Sequence, residues 1–247
     1  MAARGALLTR NEEAKKTDYL GVGLYPIPEA ARLLGIPSAT VHRWVEGYSF
    51  PLARWSKSHK PPIFVPALPR SSGQLTLTFL DLLQLRVVQG FRRANVPLQR
   101  IRVAAQTAAS LFGTSHPLAF ERFRTDGRGI FADLLTYDAR PGLVDLGAAA
   151  QSVFPEIVEQ WLKEISYTTE THLANRWYVA GPGGGVVIDP QVAFGSPVIV
   201  GLNVPTRVIW DQSKSEPEPE ALAAWFRLDV KQVQDSLRYE QQLARAA

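Results

Sequence analysis

Residues 25–48 read YPIPEAARLLGIPSATVHRWVEGY, and the spacing of their apolar side chains decides the N-terminal fold. Ile27, Ala30, Ala31 and Leu34 fall on one face of a short helix, which stops at Gly35, where positive φ costs little. Ile36 plugs a three-residue turn. Pro37 and Ser38 open a second helix, with Ser38 expected as its N-cap. Val41, Trp44 and Val45 repeat the inward spacing, so Ser38, Thr40, His42 and Arg43 face outward. In a helix-turn-helix, outward residues near the start of the second helix reach base edges in the major groove of DNA. Two short helices around a turn are also ordinary helical packing, so the surrounding charge has to arbitrate.

That charge is segregated. From Tyr25 to Gly113, 11 Lys or Arg stand against Glu29, Glu46 and Asp81, whereas Thr114 to Ala247 carries 12 basic and 17 acidic residues. A net charge of +4 thus conceals a cationic half suited to phosphate and an anionic half that DNA would repel.

The chain of 247 residues, 46% hydrophobic and 20% charged, has an ordinary globular composition, and two domains are expected. Without cysteine there is no disulfide, thiolate zinc site or cysteine nucleophile. No apolar run reaches the roughly 18 residues needed to span a bilayer. Residues 1–24, with Arg4, Arg10, Glu12, Glu13, Lys15 and Lys16, lack the apolar core of a signal peptide and read as a loose arm. The expected location is the cytoplasm.

After the helix pair, Trp55 and Ile63-Phe64-Val65 flank a basic stretch bounded by Pro61-Pro62, the pattern of a winged hairpin with Lys57, His59 and Lys60 at its tip. These three residues are either a phosphate-gripping wing or a solvated loop; their position beside the motif favours the wing. Thr78 to Asp81 resembles a capping box with Asp in place of Glu or Gln, opening a helix to Arg93 that buries Leu80, Leu83, Val87 and Phe91. Asn95 ends it as a left-handed cap. Pro97 starts another helix carrying Leu98, Ile101, Ala105, Ala108 and Leu111. Arg92, Arg93, Arg100 and Arg102 bracket the junction, as a backbone-contacting patch or as solubilising charge.

These motifs over residues 25–105, ending in LTFLDLLQLRVVQGFRRANVPLQRIR, resemble the winged-helix DNA-binding domain of MerR-type regulators. The resemblance implies dimeric binding to double-stranded operator DNA. The proline-rich wing departs from that pattern, and without cysteine no metal sensing carries over.

Beyond residue 113, Arg122–Thr125 and Ile130–Ala132 flank Asp126-Gly127, a hairpin turn signal. Phe154 to Ile165 reads as a helix burying Ile157, Val158, Trp161, Leu162 and Ile165, with Glu156, Glu159 and Glu164 solvated. The domains expected are thus an arm over 1–24, a winged helix over 25–113, a connecting region over 114–180, a Gly-rich flexible linker over 181–185 and a compact unit over 186–247. Gly181–Gly185 lacks the Lys-Ser/Thr of a phosphate-binding loop. The last unit should contain strands Val186–Ile188 and Pro197–Val200, a turn at Gly201-Leu202-Asn203, and helices from Thr206 (as cap) to Gln212, Glu220 to Arg227 and Asp229 to Leu243. The fold class expected is mainly α with short β elements: a winged helix-turn-helix followed by a helix-rich region ending in a small trihelical, helix-turn-helix-like domain with short strands.

The elements I-D-P, F-G-x-P-V-I and V-P-T within residues 186–247 resemble the antitoxin-associated domain of unknown function numbered four-three-three. Gly201-Leu202-Asn203 departs from the Gly before a Thr-Arg pair usual there. Joined to the N-terminal half, the chain is similar to long Vap-type antitoxins, which implies a PIN-like ribonuclease toxin as partner, self-repression of the operon and a homodimer. Arg176-Trp177-Tyr178 has the composition of an interface hot spot, or else packs on the C-terminal unit; Arg238, Tyr239 and Arg245 are a second candidate anchor. The alternative is a stand-alone MerR-like regulator whose C-terminal domain binds a ligand or mediates assembly, or a nucleoid-type binder without an operator. No nucleophile elbow is present, and His42, His59, His116 and His172 are not at metal-ligand spacing, so no catalytic residue, metal or cofactor is expected.

Overall fold

The structure, a computed structural model, describes residues 22–53, 56–123, 163–179, 181 and 183–246. It is helical with short strands, as expected. Helix α1 (Ile27–Leu34) buries Ile27, Ala30, Ala31, Leu33 and Leu34 and ends at Gly35 with φ 62°. There the Ile36 amide donates to the Ala31 carbonyl, closing the turn. Helix α2 (Ser38–Glu46) buries Val41, Trp44 and Val45. Its N-cap is Pro37, and Ser38 is the first helical residue without a capping bond. The extended backbone that precedes a helix is already supplied by the proline, so the cap sits one residue earlier than expected.

Gly47 follows α2 at φ 76°, and a Cβ there would lie 2.2 Å from the Lys60 carbonyl oxygen. Only glycine lets the chain turn into the antiparallel pair β2 (Tyr48–Ala53) and β3 (Ser56–Lys60). A hairpin is therefore present, but displaced. Lys60 pairs with Tyr48 at its base, His59 with Ser49 and Lys57 with Pro51, so none of the three forms a tip bounded by Pro61-Pro62. Neither proline can donate to a ladder, and Ile63 and Phe64 pack into the core instead of forming a strand.

Strand β1 (Leu24–Pro26) pairs with β4 (Thr76–Thr78), pinning the entrance of α1 to that of α3 (Phe79–Arg93). The capping box is complete. Asp81 N donates to Thr78 Oγ1 at 3.2 Å, and Asp81 Oδ2 accepts from Thr78 N at 3.0 Å. Asn95 adopts φ 62°, and Pro97 caps α4 (Leu98–Phe112). Leu111 departs from the inward set and is 64% exposed.

The C-terminal half contains an antiparallel four-stranded meander, β5 (Ile165–Tyr167), β6 (Ala174–Tyr178), β7 (Val186–Ile188) and β8 (Pro197–Ile199). Helices α5 (Thr206–Gln212), α6 (Pro219–Phe226) and α7 (Val230–Ala246) follow. Because β6 and β7 pair directly, the glycines of 181–185 serve a turn inside one sheet rather than a tether between units. Ile165 begins a strand, not the end of a helix, and residues 121–123 are helical rather than part of a hairpin. Residues 163 and 164 form a turn, and the rest of both expected elements, like the arm up to residue 21, lies outside the described residues. Thr206 is likewise the first residue of its helix and not its cap, a place taken by Pro205.

One apolar core joins the two halves. Tyr25, Leu34, Leu82 and Phe91 share it with Ile165, Trp177, Ile188, Tyr239 and Leu243. A smaller cluster of Ile199, Ile209, Leu222, Ala223 and Val233 holds the C-terminal helices to the sheet. The N-terminal helix pair and the C-terminal sheet thus bury one continuous surface, the main stabilising contribution to their relative placement.

Candidate nucleic-acid interface

The second helix of the pair exposes Ala39, His42 and Arg43, while Ser38 and Thr40 are half-buried. Residues 39, 42, 43 and 46 share a face by the three-and-four spacing of a helix. The guanidinium carbon of Arg43 lies 5.4 Å from the ring centroid of Tyr48, the first residue of β2. An aromatic face beneath an exposed arginine limits its rotamers and holds its charge outward. His42 Nδ1 and Glu46 Oε2 are 2.9 Å apart, and Glu46 also pairs with Arg70. Lys60 stands opposite Tyr48 in the β2–β3 register. Next along the strand, His59 Nδ1 lies 3.2 Å from Ser49 Oγ.

Arg43 and Lys60 therefore meet at Tyr48, and His42 and Arg70 at the carboxylate of Glu46, while His59, one residue along the strand, belongs to the other face of the hairpin. Arg43 lies in the last turn of α2 and Lys60 at the base of the hairpin; residues 54 and 55, between its strands, lie outside the described residues. Tyr48, Glu46 and Arg70 were not singled out by periodicity, because each acts through a partner on another element.

The arginines around the α3–α4 junction divide. Arg102 is 3% exposed, donates from Nε to the Pro62 carbonyl at 3.1 Å and from Nη1 to Gln99, and so braces the proline loop. Burial lowers its pKa, against the opposing effect of Tyr48. Arg92 is exposed and donates to the Val96 carbonyl at 2.7 Å.

The expected partner-binding residues also divide. Trp177 is 3% exposed; its Nε1 donates to Glu164 Oε2 at 3.2 Å, and the Arg86 guanidinium lies 5.3 Å from its ring centroid. Arg86 and Glu164 are themselves paired at 3.4 Å. Trp177 is thus an anchor between the halves of the chain, and Glu164 is its partner rather than part of a solvated face. Tyr239 is buried beside Glu240, and that burial, reinforced by the carboxylate, pushes its phenol pKa far up. Both rings are buried within the chain. Arg176 and Arg238 are on the surface, paired with Asp189 at 2.7 Å and Asp235 at 3.2 Å, and Tyr178 is half-buried.

Two polar contacts fasten β1 and α1 to the C-terminal unit. Arg32 is held by Glu29 at 2.7 Å and reaches Glu240 at 3.2 Å. Glu240, 1% exposed, accepts the Thr206 hydroxyl at 2.6 Å. Tyr25 donates to the Gly195 carbonyl at 2.8 Å. Among the described residues no cluster of His, Asp or Glu is placed to hold a metal, and no helix is long and apolar enough to cross a membrane.

Comparison with known proteins matches this division. Residues 23–105 match the family described as "Putative DNA-binding HTH domain", and residues 186–239 the family described as "Protein of unknown function (DUF433)". The chain is 32% identical over 225 residues to the Mycobacterium tuberculosis protein named "Putative antitoxin VapB45", covering 87% of this chain and 93% of that protein. It is 28% identical over 233 residues to the uncharacterized protein Rv2308 of the same organism, covering 90% of this chain and 92% of that one. The X-ray crystal structure of Rv2018 from Mycobacterium tuberculosis superposes with a TM-score of 0.70 at 26% identity, covering 88% of this chain and 98% of that chain. With a helix-turn-helix domain before a DUF433 unit and this identity across nearly the whole relative, the chain belongs to the VapB45 family.

Proposed function

We propose that the protein is the antitoxin of a toxin–antitoxin pair, acting in the cytoplasm as a homodimer. Its MerR-like N-terminal domain binds double-stranded operator DNA and represses its own operon, and its C-terminal half binds and silences a PIN-like ribonuclease toxin. The observation that carries the DNA-binding part is the Arg43–Tyr48 stack on the exposed face of α2, set among Lys60, Arg70 and His42. A cation held rigidly on a recognition helix suits bidentate contact with a guanine edge, while its neighbours suit phosphate. The name of the VapB45 relative supports the antitoxin part.

A PIN-type nuclease gathers carboxylates around divalent metal, so an inhibitor brings a cation or plug to that site. Arg176 and Arg238 on the surface, with the half-buried Tyr178, suit that role; Trp177 and Tyr239 support them from within. Co-expression with the neighbouring gene, pull-down and an RNA-cleavage assay test the proposal. A nuclease that co-purifies and is inactive until released supports it; a neighbour that neither binds nor cleaves RNA contradicts it.

A further inference from the structure

Arg70 lies 24 residues past the end of the recognition helix, yet its guanidinium pairs with Glu46 in the last turn of that helix. It also donates to the Gly73 carbonyl at 2.8 Å across the turn it introduces. Ser71 and Gln74 exchange both backbone bonds, at 3.0 and 2.9 Å, around Ser72 at φ 50° and Gly73 at φ 78°. Both central residues thus have the positive φ of a tight hairpin turn whose twist suits antiparallel strands.

Ser71, Ser72, Gly73 and Gln74 are all exposed, and no atom lies within 4 Å of a Cβ built on Gly73, so the tip is open to a large ligand. Glu46 sits two residues before Tyr48, which carries Arg43 on its ring and faces Lys60 across the strand pair. The turn is therefore docked on the same cationic patch as the β2–β3 hairpin, but from the opposite side of the sequence.

We propose that the Arg70–Gln74 turn is a second phosphate-contacting element, docked on the recognition helix through the Arg70–Glu46 pair. Arg70 then grips the duplex backbone beside Arg43 and Lys60. The inference rests on the DNA-binding reading above. Arg70 uses Nη1 and Nη2 within the protein, and a guanidinium has five N–H donors, so it can hold Glu46, the turn and a phosphate together. The serine hydroxyls at positions 71 and 72 add neutral donors at the tip. Glu46 is then a positioning residue, which sets where the loop stands without itself touching DNA.

The test uses the full chain, the duplex immediately upstream of its own gene, and a random duplex of equal length, with affinity measured across a salt series. Arg70→Ala should weaken both duplexes alike by several-fold and make the plot of log affinity against log salt shallower by about 0.9. Arg70→Lys should keep the slope. Ser71→Glu, an exposed change that leaves the backbone bridge intact, should weaken both duplexes through repulsion. Glu46→Gln should retain the slope, because Arg70 is still present. Unchanged affinity and slope in Arg70→Ala and Ser71→Glu, with the wild-type thermal midpoint, would overturn the inference while leaving the DNA-binding reading intact. Equal affinity losses in Arg70→Ala and Glu46→Gln with the wild-type salt slope in both would make the pair structural only, and overturn it too. A wild-type chain that binds neither duplex would remove both.

Discussion

The Tyr25 hydroxyl donates to the Gly195 carbonyl at 2.8 Å across 170 residues of chain, joining the entrance of the helix-turn-helix to the start of the last strand. Burial pushes the phenol pKa far up, so it remains a donor at any working pH. Gly195 has φ 82°, and a Cβ there would lie 2.2 Å from the Tyr25 oxygen. Tyr25→Phe should cost about 1–2 kcal/mol, the loss of one buried bond. Gly195→Ala should cost more, above about 2 kcal/mol, because strain and collision add to that loss. Urea denaturation of both variants orders them; the reverse order would show that the junction is loosely packed.

Trp177 joins the halves through Arg86 and Glu164. Trp177→Ala should destabilise the chain by about 3–5 kcal/mol, as expected when a large buried side chain is removed. Arg176→Ala, which removes an exposed arginine paired to Asp189, should change stability by less than about 1 kcal/mol. Thermal unfolding distinguishes the two directly. A stable Trp177→Ala protein that had lost only toxin binding would make the ring a contact residue.

The local signals were legible and the long-range ones were not. The limits of α1 followed from its apolar stripe and Gly35, and those of α3 from the Thr78–Asp81 box, because a helix and its caps are local chemistry. Lys57, His59 and Lys60 were rightly placed on a hairpin but wrongly at its tip. What fixes the register is the close approach of Gly47 to the Lys60 carbonyl, which no periodicity shows. Gly181–Gly185 has the composition of a tether, and only the pairing of β6 with β7 makes it a turn. Arg176-Trp177-Tyr178 has the composition of an interface, and its central ring, Trp177, packs on Arg86 and Glu164 of the same chain while Arg176 stays on the surface. Tyr25, Arg32, Glu46, Arg70 and Glu240 each find a partner on a distant element, and an isolated residue carries no signal for that.

His116 supplies a pH dependence. Burial lowers its pKa below the ordinary 6.5, outweighing the opposing attraction of Asp81, whose Oδ1 lies 3.7 Å from Nε2. The folded state therefore resists the proton that the unfolded chain accepts. Its contribution is fully present above the unfolded value of 6.5 and is lost as pH falls below it toward the folded value. The denaturation midpoint should drop between about pH 7 and pH 5.5, and the drop should shrink in His116→Asn. An equal drop in both proteins would assign the acid sensitivity to other groups.

Lys60 and Arg43 should fail differently on DNA. Lys60→Ala should weaken all sequences alike and flatten the salt dependence, as loss of a phosphate contact does. Tyr48→Leu keeps the apolar bulk beneath Arg43 but removes its ring, and should loosen preference for the upstream duplex with little change on random duplex. Gel-shift titrations on the two duplexes measure both effects. A salt slope unaltered by Lys60→Ala would remove that residue from the interface.

The most direct test is the affinity of the full chain and its Arg43→Ala variant for the upstream and random duplexes in dilute and moderate salt. The wild-type chain should prefer the upstream duplex, and Arg43→Ala should lose about 1–3 kcal/mol there while binding the random duplex nearly as before. A wild-type chain that ignores both duplexes in dilute salt, or an Arg43→Ala variant that keeps the full preference, would contradict recognition through this helix.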